Sequence, residues 1–345
     1  MGDRMKMVSL LHGDLNISKA VFGTSRLGGT VERYDKREAL AILGEVLDGG
    51  VTCFDTADIY AQGNSERLLS EAFRKRRDQV VYATKGGYVL SGKARLLSKV
   101  KPLVRGFLKA RPGLTKAAGR ARGGQMKKDF SREHLTRAVE ASLSRLKTDR
   151  IDIYQLHSPG PGDLTAGDAF ATLAGLKAAG KIRAFGVSVL SWDDVPHCLG
   201  HGVSWIQVDA DLLGGNDHAE MIQRARADKV MLLARQAFGS GLLSRDPASL
   251  APTDFGGNEA SLSKAQAIIE RVRQFGDPHE VVLRYIHHHS DFGAFLFATT
   301  RMENLRANLR ALQMSGFSDE DAEALNAVLH NTDPSKITNQ KNQTL

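Results

Sequence analysis

Four side chains in the first half of the chain are of the types that move a proton onto an oxygen: Asp55, Tyr60, Lys85 and His157. Asp55 and Tyr60 share the stretch Cys53-Phe54-Asp55-Thr56-Ala57-Asp58-Ile59-Tyr60, where a short apolar run turns polar. An ammonium beside a phenol favours the phenolate, and a carboxylate beside the ammonium keeps it charged and oriented. A histidine can hydrogen-bond a carbonyl oxygen. Brought together, such groups form an acid that protonates an oxygen as negative charge develops on it, an effect worth about 10²–10⁴ in rate. Taken singly, each has a plainer reading: a strand-end Asp is a cap, a strand-end His is structural, a Lys is a surface residue. Their joint occurrence at the ends of the second, third and fourth predicted strands is what points to chemistry.

The elements that must position these groups alternate between two hydrophobic periods. Residues 6–11 and 15–18 flank His12-Gly13-Asp14 and predict a small hairpin. Strands are expected at 19–23, 51–55, 80–84, 151–157, 181–188, 205–210, 230–235 and 295–299, each a short apolar run as in a sheet buried on both faces. Helical spacing follows each strand. After Asp35 the apolar residues Ala39, Ile42, Leu43, Val46 and Leu47 line one face, and Gly49-Gly50 ends the helix. Ser65 is expected to cap a helix to about residue 74, and Ser131 one to about residue 146. A helix over 192–199 contains Pro196 and should be short or kinked. Eight strand–helix units predict a (β/α)₈ TIM barrel with an N-terminal β-hairpin and a long basic insertion after the third strand. The expected organisation is one barrel domain over 1–330, with the insertion at 91–129 and a polar, disordered tail at 331–345.

Composition narrows the function. The two cysteines, Cys53 and Cys198, give neither a disulfide framework nor a metal pattern, which fits a reducing compartment. With no apolar leader and no run of about 18 apolar residues, the expected location is the cytoplasm. The net charge of +8 has a local origin. Lys93 to Lys128 holds 12 Lys and Arg and no acid, and the remainder has 35 basic against 39 acidic residues. A basic pI with that origin argues against nucleic-acid binding by the whole protein. His287-His288-His289 is not read as a metal site, because consecutive helical residues do not share a face.

Residues 7–315 resemble the aldo-keto reductase superfamily. The resemblance is carried by Phe54 to Tyr60 (FDTADIY), Ser65-Glu66, Ala83-Thr84-Lys85-Gly86, Leu143 to Asp149 (LSRLKTD), Ile151 to His157 (IDIYQLH) and Gly180 to Ser188 (GKIRAFGVS). It implies that Tyr60 is the general acid/base, that Lys85 favours its ionised form, that Asp55 holds Lys85 and that His157 orients a carbonyl. It also implies hydride transfer with NADPH, or NADH as the alternative, bound across the barrel mouth without a Rossmann fold. For the cofactor it implies Ser188 and Gln207 at the carboxamide, with Val189 where Asn is frequent. Arg235 takes the place of a ring-stacking Tyr. Gly239, Gly241 and Leu242 fall in a loop over the pyrophosphate, and Thr299, Arg301 and Asn308 fall at the adenosine end, with Arg301 for a 2′-phosphate. A cofactor-binding regulatory subunit and a Lys85 Schiff-base lyase are the alternatives.

The basic insertion departs from that pattern. Leu96, Leu97, Val100, Leu103, Val104, Phe107 and Leu108 follow helical spacing with Lys99, Lys101, Arg105 and Lys109 between them. Three readings stay open: a pocket wall favouring an anionic substrate, a solvated helix packed on the barrel, and an amphipathic helix for a membrane surface or a partner.

Overall fold

A computed structural model describes residues 5–10, 15–28, 35–90, 126–166, 168–210, 212 and 218–329. The helical pattern expected at 96–108 and the tail at 331–345 lie outside the described residues.

The chain opens with a hairpin of β1 (Met7–Leu10) and β2 (Leu15–Ser18), paired antiparallel with Val8 opposite Ile17. Eight parallel strands then close a barrel: β3 (Ala20–Gly23), β4 (Cys53–Asp55), β5 (Val81–Gly86), β8 (Ile151–His157), β9 (Ile182–Ser188), β10 (Trp205–Asp209), β11 (Met231–Arg235) and β12 (Ala294–Phe297). Between β5 and β8 the chain makes a second antiparallel ribbon, β6 (Tyr88–Leu90) against β7 (Met126–Lys128). The basic insertion therefore leaves and rejoins the barrel through this ribbon.

Alternation along the strands builds two cores. Val21, Cys53, Val81, Ala83, Ile153, Ala184, Trp205, Leu233 and Ala294 fill the barrel, and Leu10, Leu15 and Ile17 of the hairpin continue that cluster at its N-terminal end. Residues of the opposite parity, such as Phe22, Phe54, Tyr82, Tyr154 and Phe185, pack outward under the helices. Those helices are α1 (Lys36–Asp48), α2 (Asn64–Phe73), α3 (Arg132–Leu146), α4 (Pro161–Thr165), α5 (Asp168–Ala178), α6 (Ala219–Ala227), α7 (Glu259–Val272), α8 (Pro278–His288), α9 (Met302–Leu312) and α10 (Asp319–Leu329). Asp35 caps α1 by accepting from the Arg37 and Glu38 amides, and the five residues expected on its inner face are the ones it buries. Among the described residues no helix is long and apolar enough to cross a membrane.

Two local expectations are corrected. Ser65 does not cap α2. Gly63, in the left-handed region at φ 80°, takes that place. Ser65 is fully buried, and its hydroxyl accepts from Thr56 at 2.9 Å and contacts the Thr24 hydroxyl at 2.7 Å. It ties the loops after β3 and β4 together. The helix expected over 192–199 is instead two 3₁₀ turns, Trp192–Asp194 and Pro196–Cys198, because Pro196 removes a donor where an α-helix would need one.

Candidate active site

The inward parity that fills the barrel with apolar groups turns polar at the carboxyl ends of the strands. On β4, Asp55 follows Cys53. On β5, Lys85 follows Ala83. On β8, Gln155 and His157 follow Ile153. Register then aligns them: Lys85 pairs with Gln155, His157 with Ser188, and Ser188 with Gln207. Gly86 lets this corner close, since a Cβ there would lie 2.0 Å from the Tyr154 hydroxyl.

Asp55 is the hub. It is 3% exposed, and its Oδ1 accepts from Lys85 Nζ at 2.5 Å. Its Oδ2 accepts from the side-chain amides of Gln207 at 2.5 Å and Gln155 at 3.2 Å. Trp205 Nε1 donates to Gln155 Oε1 at 3.0 Å and fixes that amide's orientation. Lys85 Nζ also donates to the Thr56 carbonyl at 3.0 Å. Burial acts to lower the Lys85 pKa. The Asp55 and Tyr60 charges, and hydrogen bonds to both, outweigh it and hold the pKa above its ordinary value. The ammonium lies 5.3 Å from the centre of the Tyr60 ring.

His157 completes the cluster. Its ring stands edge-on to Tyr60 at 5.8 Å and to Tyr88 of the ribbon at 4.9 Å. Burial, followed by the charges of Lys85, Arg235 and Lys128, depresses its pKa to about 3, so the ring is neutral near pH 7. Its Nδ1 is buried and has no hydrogen-bond partner among the described residues. The four residues predicted from sequence thus meet at one end of the barrel, around a charged amine, a phenol and a neutral imidazole.

The residues assigned to a cofactor are placed less uniformly. Ser188 and Gln207 end β9 and lie along β10 beside His157 and Asp55, but the Gln207 amide is engaged by Asp55. Arg235 ends β11, held by Asp209 at 2.9 Å and the Val189 carbonyl at 2.7 Å. Gly239 and Gly241 have φ of 53° and 96° in a 3₁₀ segment, Gly239–Ser244, that contains the half-buried Leu242. Strand β12 stops at Phe297, so Thr299 lies past its end, where its hydroxyl accepts from the Arg301 amide at 3.2 Å. Arg301 is exposed at the start of α9. Asn308 is 5% exposed, with its Oδ1 2.9 Å from His279 Nε2.

Several contributors were not singled out from sequence. Gln155 had a usable signal, because it lies two residues before His157 and so on the same face of β8. Tyr88, which opens β6, and Asp209, the last residue of β10, carry no such signal. Asp58 is the least expected. Its Oδ1 has no partner among the described residues, and burial and the Glu66 charge raise its pKa to about 7. Beside it, Glu66 pairs with Arg145 and accepts from Thr84 at 2.7 Å. The three adjacent histidines diverge: His287 is buried, His288 Nε2 lies 2.9 Å from the Met314 carbonyl, and His289 Nε2 accepts from the Phe317 amide at 2.8 Å. Among the described residues no group of His, Cys, Asp or Glu is arranged to hold a metal ion.

A polar cluster at the carboxyl ends of closed parallel strands is where TIM-barrel enzymes keep their chemistry. The aldo/keto reductase family model matches residues 19–330, and the chain belongs to that family of oxidoreductases. The NADH-specific methylglyoxal reductase of Escherichia coli (strain K12) is 27% identical over 336 residues, spanning 92% of this chain and 96% of that protein. The holo form of aldo-keto reductase AKR11C1 from Bacillus halodurans superposes with a TM-score of 0.71 at 24% identity, covering 94% of this chain and 96% of that one. An aldo/keto reductase from Klebsiella pneumoniae in complex with NADP and acetate superposes with a TM-score of 0.66 at 21% identity, covering 94% and 95%.

Proposed function

We propose that the protein interconverts a small aldehyde or ketone and the corresponding alcohol with NADPH, NADH being the alternative, and that Tyr60 is the general acid/base. The observation that carries this reading is the Lys85 ammonium, buried, clamped by Asp55 at 2.5 Å and facing Tyr60. A nicotinamide, when bound, supplies the hydride. Tyr60 hands its phenolic proton to the carbonyl oxygen as negative charge develops there, and the adjacent ammonium stabilises the charge left on the phenol oxygen. His157, neutral, aids by directing an imidazole N–H at the same oxygen. Gln155 and Gln207 keep Asp55 aimed at Lys85. In the alcohol-to-carbonyl direction Tyr60 takes the proton back.

The residues present fit a nicotinamide cofactor. Ser188, Gln207 and Arg235 belong to three adjacent strands at the same end as Lys85, and Gly239 and Gly241 hold backbone conformations that permit close approach. The exposed Arg301 at a helix start supports NADPH. The name of the Escherichia coli relative and the NADP held by the Klebsiella pneumoniae enzyme make both nicotinamides relevant to the family. The charges of Lys85, Arg235 and Lys128 around His157 support a substrate that carries an anionic group. Cys53 and Cys198 are buried free thiols, which supports a reducing compartment such as the cytoplasm. An amine held protonated is a poor Schiff-base nucleophile, so the Lys85 environment favours reduction over a lyase.

The test is Tyr60→Phe, assayed by NADPH oxidation over a panel of aldehydes and ketones. Turnover is expected to fall by about 10²–10⁴ while NADPH affinity stays close to wild type. Wild-type turnover in this variant would overturn the assignment. Tight NADPH binding by the unmodified protein without turnover on any carbonyl would replace it with a regulatory role.

A further inference from the structure

A cleft of about 1010 Å³ opens at the opposite end of the barrel from the catalytic groups. Its walls are the N-terminal ends of β9 and β11, the segment 290–293 that leads into β12, and the hairpin strand β1. Six cationic side chains line it against two carboxylates. Of the carboxylates, Asp291 is already paired with Arg226 at 3.0 Å. Arg183 is engaged by Asp152. The four lysines, Lys6, Lys19, Lys177 and Lys229, have no carboxylate within ion-pair distance among the described residues.

Lys19 is the centre of the argument. It is only 4% exposed, and among the described residues its ammonium donates to one neutral acceptor, the Ser290 carbonyl, at 3.3 Å. The backbone bond from the Lys19 amide to the Lys6 carbonyl at 2.8 Å brings a second lysine alongside. Burial first, and the Lys6 charge second, lower the Lys19 pKa to about 8 against the opposing pull of Asp291. A buried ammonium beside another ammonium, with no carboxylate within ion-pair distance among the described residues, is a costly arrangement that a methionine of the same length would avoid. The N-terminal end of such a barrel ordinarily carries packing and not chemistry. The missing partner is an anion, and the number of unpaired lysines calls for more than one negative charge.

We propose that this cleft is a binding site for a small phosphorylated molecule, separate from the cofactor and substrate site. Phosphate oxygens replace the carboxylate that Lys19 lacks, and Lys6, Lys177 and Lys229 meet the remaining charge. The organic part of the ligand lies against Val8, Met231 and Phe292 of the same cleft.

The experiment is a calorimetric titration with inorganic pyrophosphate of protein already saturated with NADPH, at fixed ionic strength. Binding that persists under NADPH saturation and weakens by about tenfold or more in Lys19→Met is the expected result. A second variant, Lys177→Gln with Lys229→Gln, changes only exposed side chains. It should bind several-fold more weakly at an unchanged melting temperature, and it decides the matter if Lys19→Met does not fold. A sugar phosphate binding more tightly than inorganic phosphate identifies an organic ligand, while equal affinities identify the free ion as the occupant. Displacement of pyrophosphate by NADPH, wild-type affinity in both variants, or a short RNA binding more tightly than every small phosphate would each overturn the proposal.

Discussion

Asp58 is a carboxyl group that the fold keeps protonated well above its ordinary range. Burial is the main cause and the Glu66 charge adds to it, while Arg145, the Ile59 amide and Lys85 offset only part, so the pKa rises from 3.8 to about 7. In the unfolded chain the same group ionises near the lower value. Between about pH 4 and 7 the folded form therefore binds the extra proton, and this contribution to stability is lost as pH rises through that window. Asp58→Asn removes the titration. Wild type should lose about 1–4 kcal/mol relative to the variant between pH 4 and 8, read from urea midpoints at four pH values. Parallel curves for the two proteins would remove Asp58 as the cause. Arg301 carries a second prediction at this scale. Its guanidinium is exposed at the start of α9. If it holds a 2′-phosphate, Arg301→Ala should raise KM for NADPH about tenfold or more and leave KM for NADH within twofold. Equal effects on the two cofactors would place the arginine elsewhere in binding.

The corner formed by β5 and β8 is where two strands depend on one missing side chain. A Cβ on Gly86 would stand 2.0 Å from the Tyr154 hydroxyl, immediately after Lys85 in sequence. Gly86→Ala must therefore push β5 away from β8 and move the amine relative to Tyr60. Its turnover should drop by tenfold or more, with a stability loss of about 1–3 kcal/mol. The Tyr154 hydroxyl is buried without a partner among the described residues, so Tyr154→Phe alone should be nearly neutral. Combined with Gly86→Ala it should restore much of the lost turnover, and a strictly additive double variant would show that the clash is not the cause. The same strands show what was legible in the sequence. The run Ile151 to His157 was readable to the residue because both of its faces are buried, and the four catalytic candidates followed from strand ends and family motifs. The inner face of α1 was readable because helical spacing has no competitor there. At Ser65 and over 192–199 sequence and structure part, since a buried hydroxyl tie looks like a cap in sequence and a proline-broken turn looks like a short helix. Gln155 is legible only through its parity with His157 on β8, and Asp58 is not legible, because burial beside the Glu66 charge leaves no periodic trace in the sequence.

At the scale of the whole molecule, the excess of positive charge comes from one stretch of the sequence. The formal net charge is +8, yet all of that excess resides in the stretch from Lys93 to Lys128. That stretch is joined to the barrel through β6 and β7, and the ribbon sets Tyr88 against His157 and Lys128 5.9 Å from the Tyr88 ring. Burial is the main cause that keeps His157 neutral, and the charges of Lys85, Arg235 and Lys128 add to it. A positive field of this kind attracts a carboxylate or phosphate and leaves a neutral aldehyde unaffected. Long-range attraction of this kind is screened within about 8–10 Å at ordinary ionic strength. Raising salt from about 0.02 to 0.5 M should therefore lower kcat/KM for an anionic aldehyde by about tenfold and leave a neutral aldehyde of the same size nearly unchanged. Joining Leu90 to Met126 with a short Asn-Gly-containing turn, across the register in which those two residues already pair, deletes most of the local charge and preserves the ribbon. The shortened protein should keep its activity on neutral aldehydes and lose most of the salt dependence on anionic ones. Lys128→Gln should show a smaller loss of the same sign. A salt response that is equal for both substrates, or that survives the deletion intact, would show that the basic stretch serves something other than substrate selection.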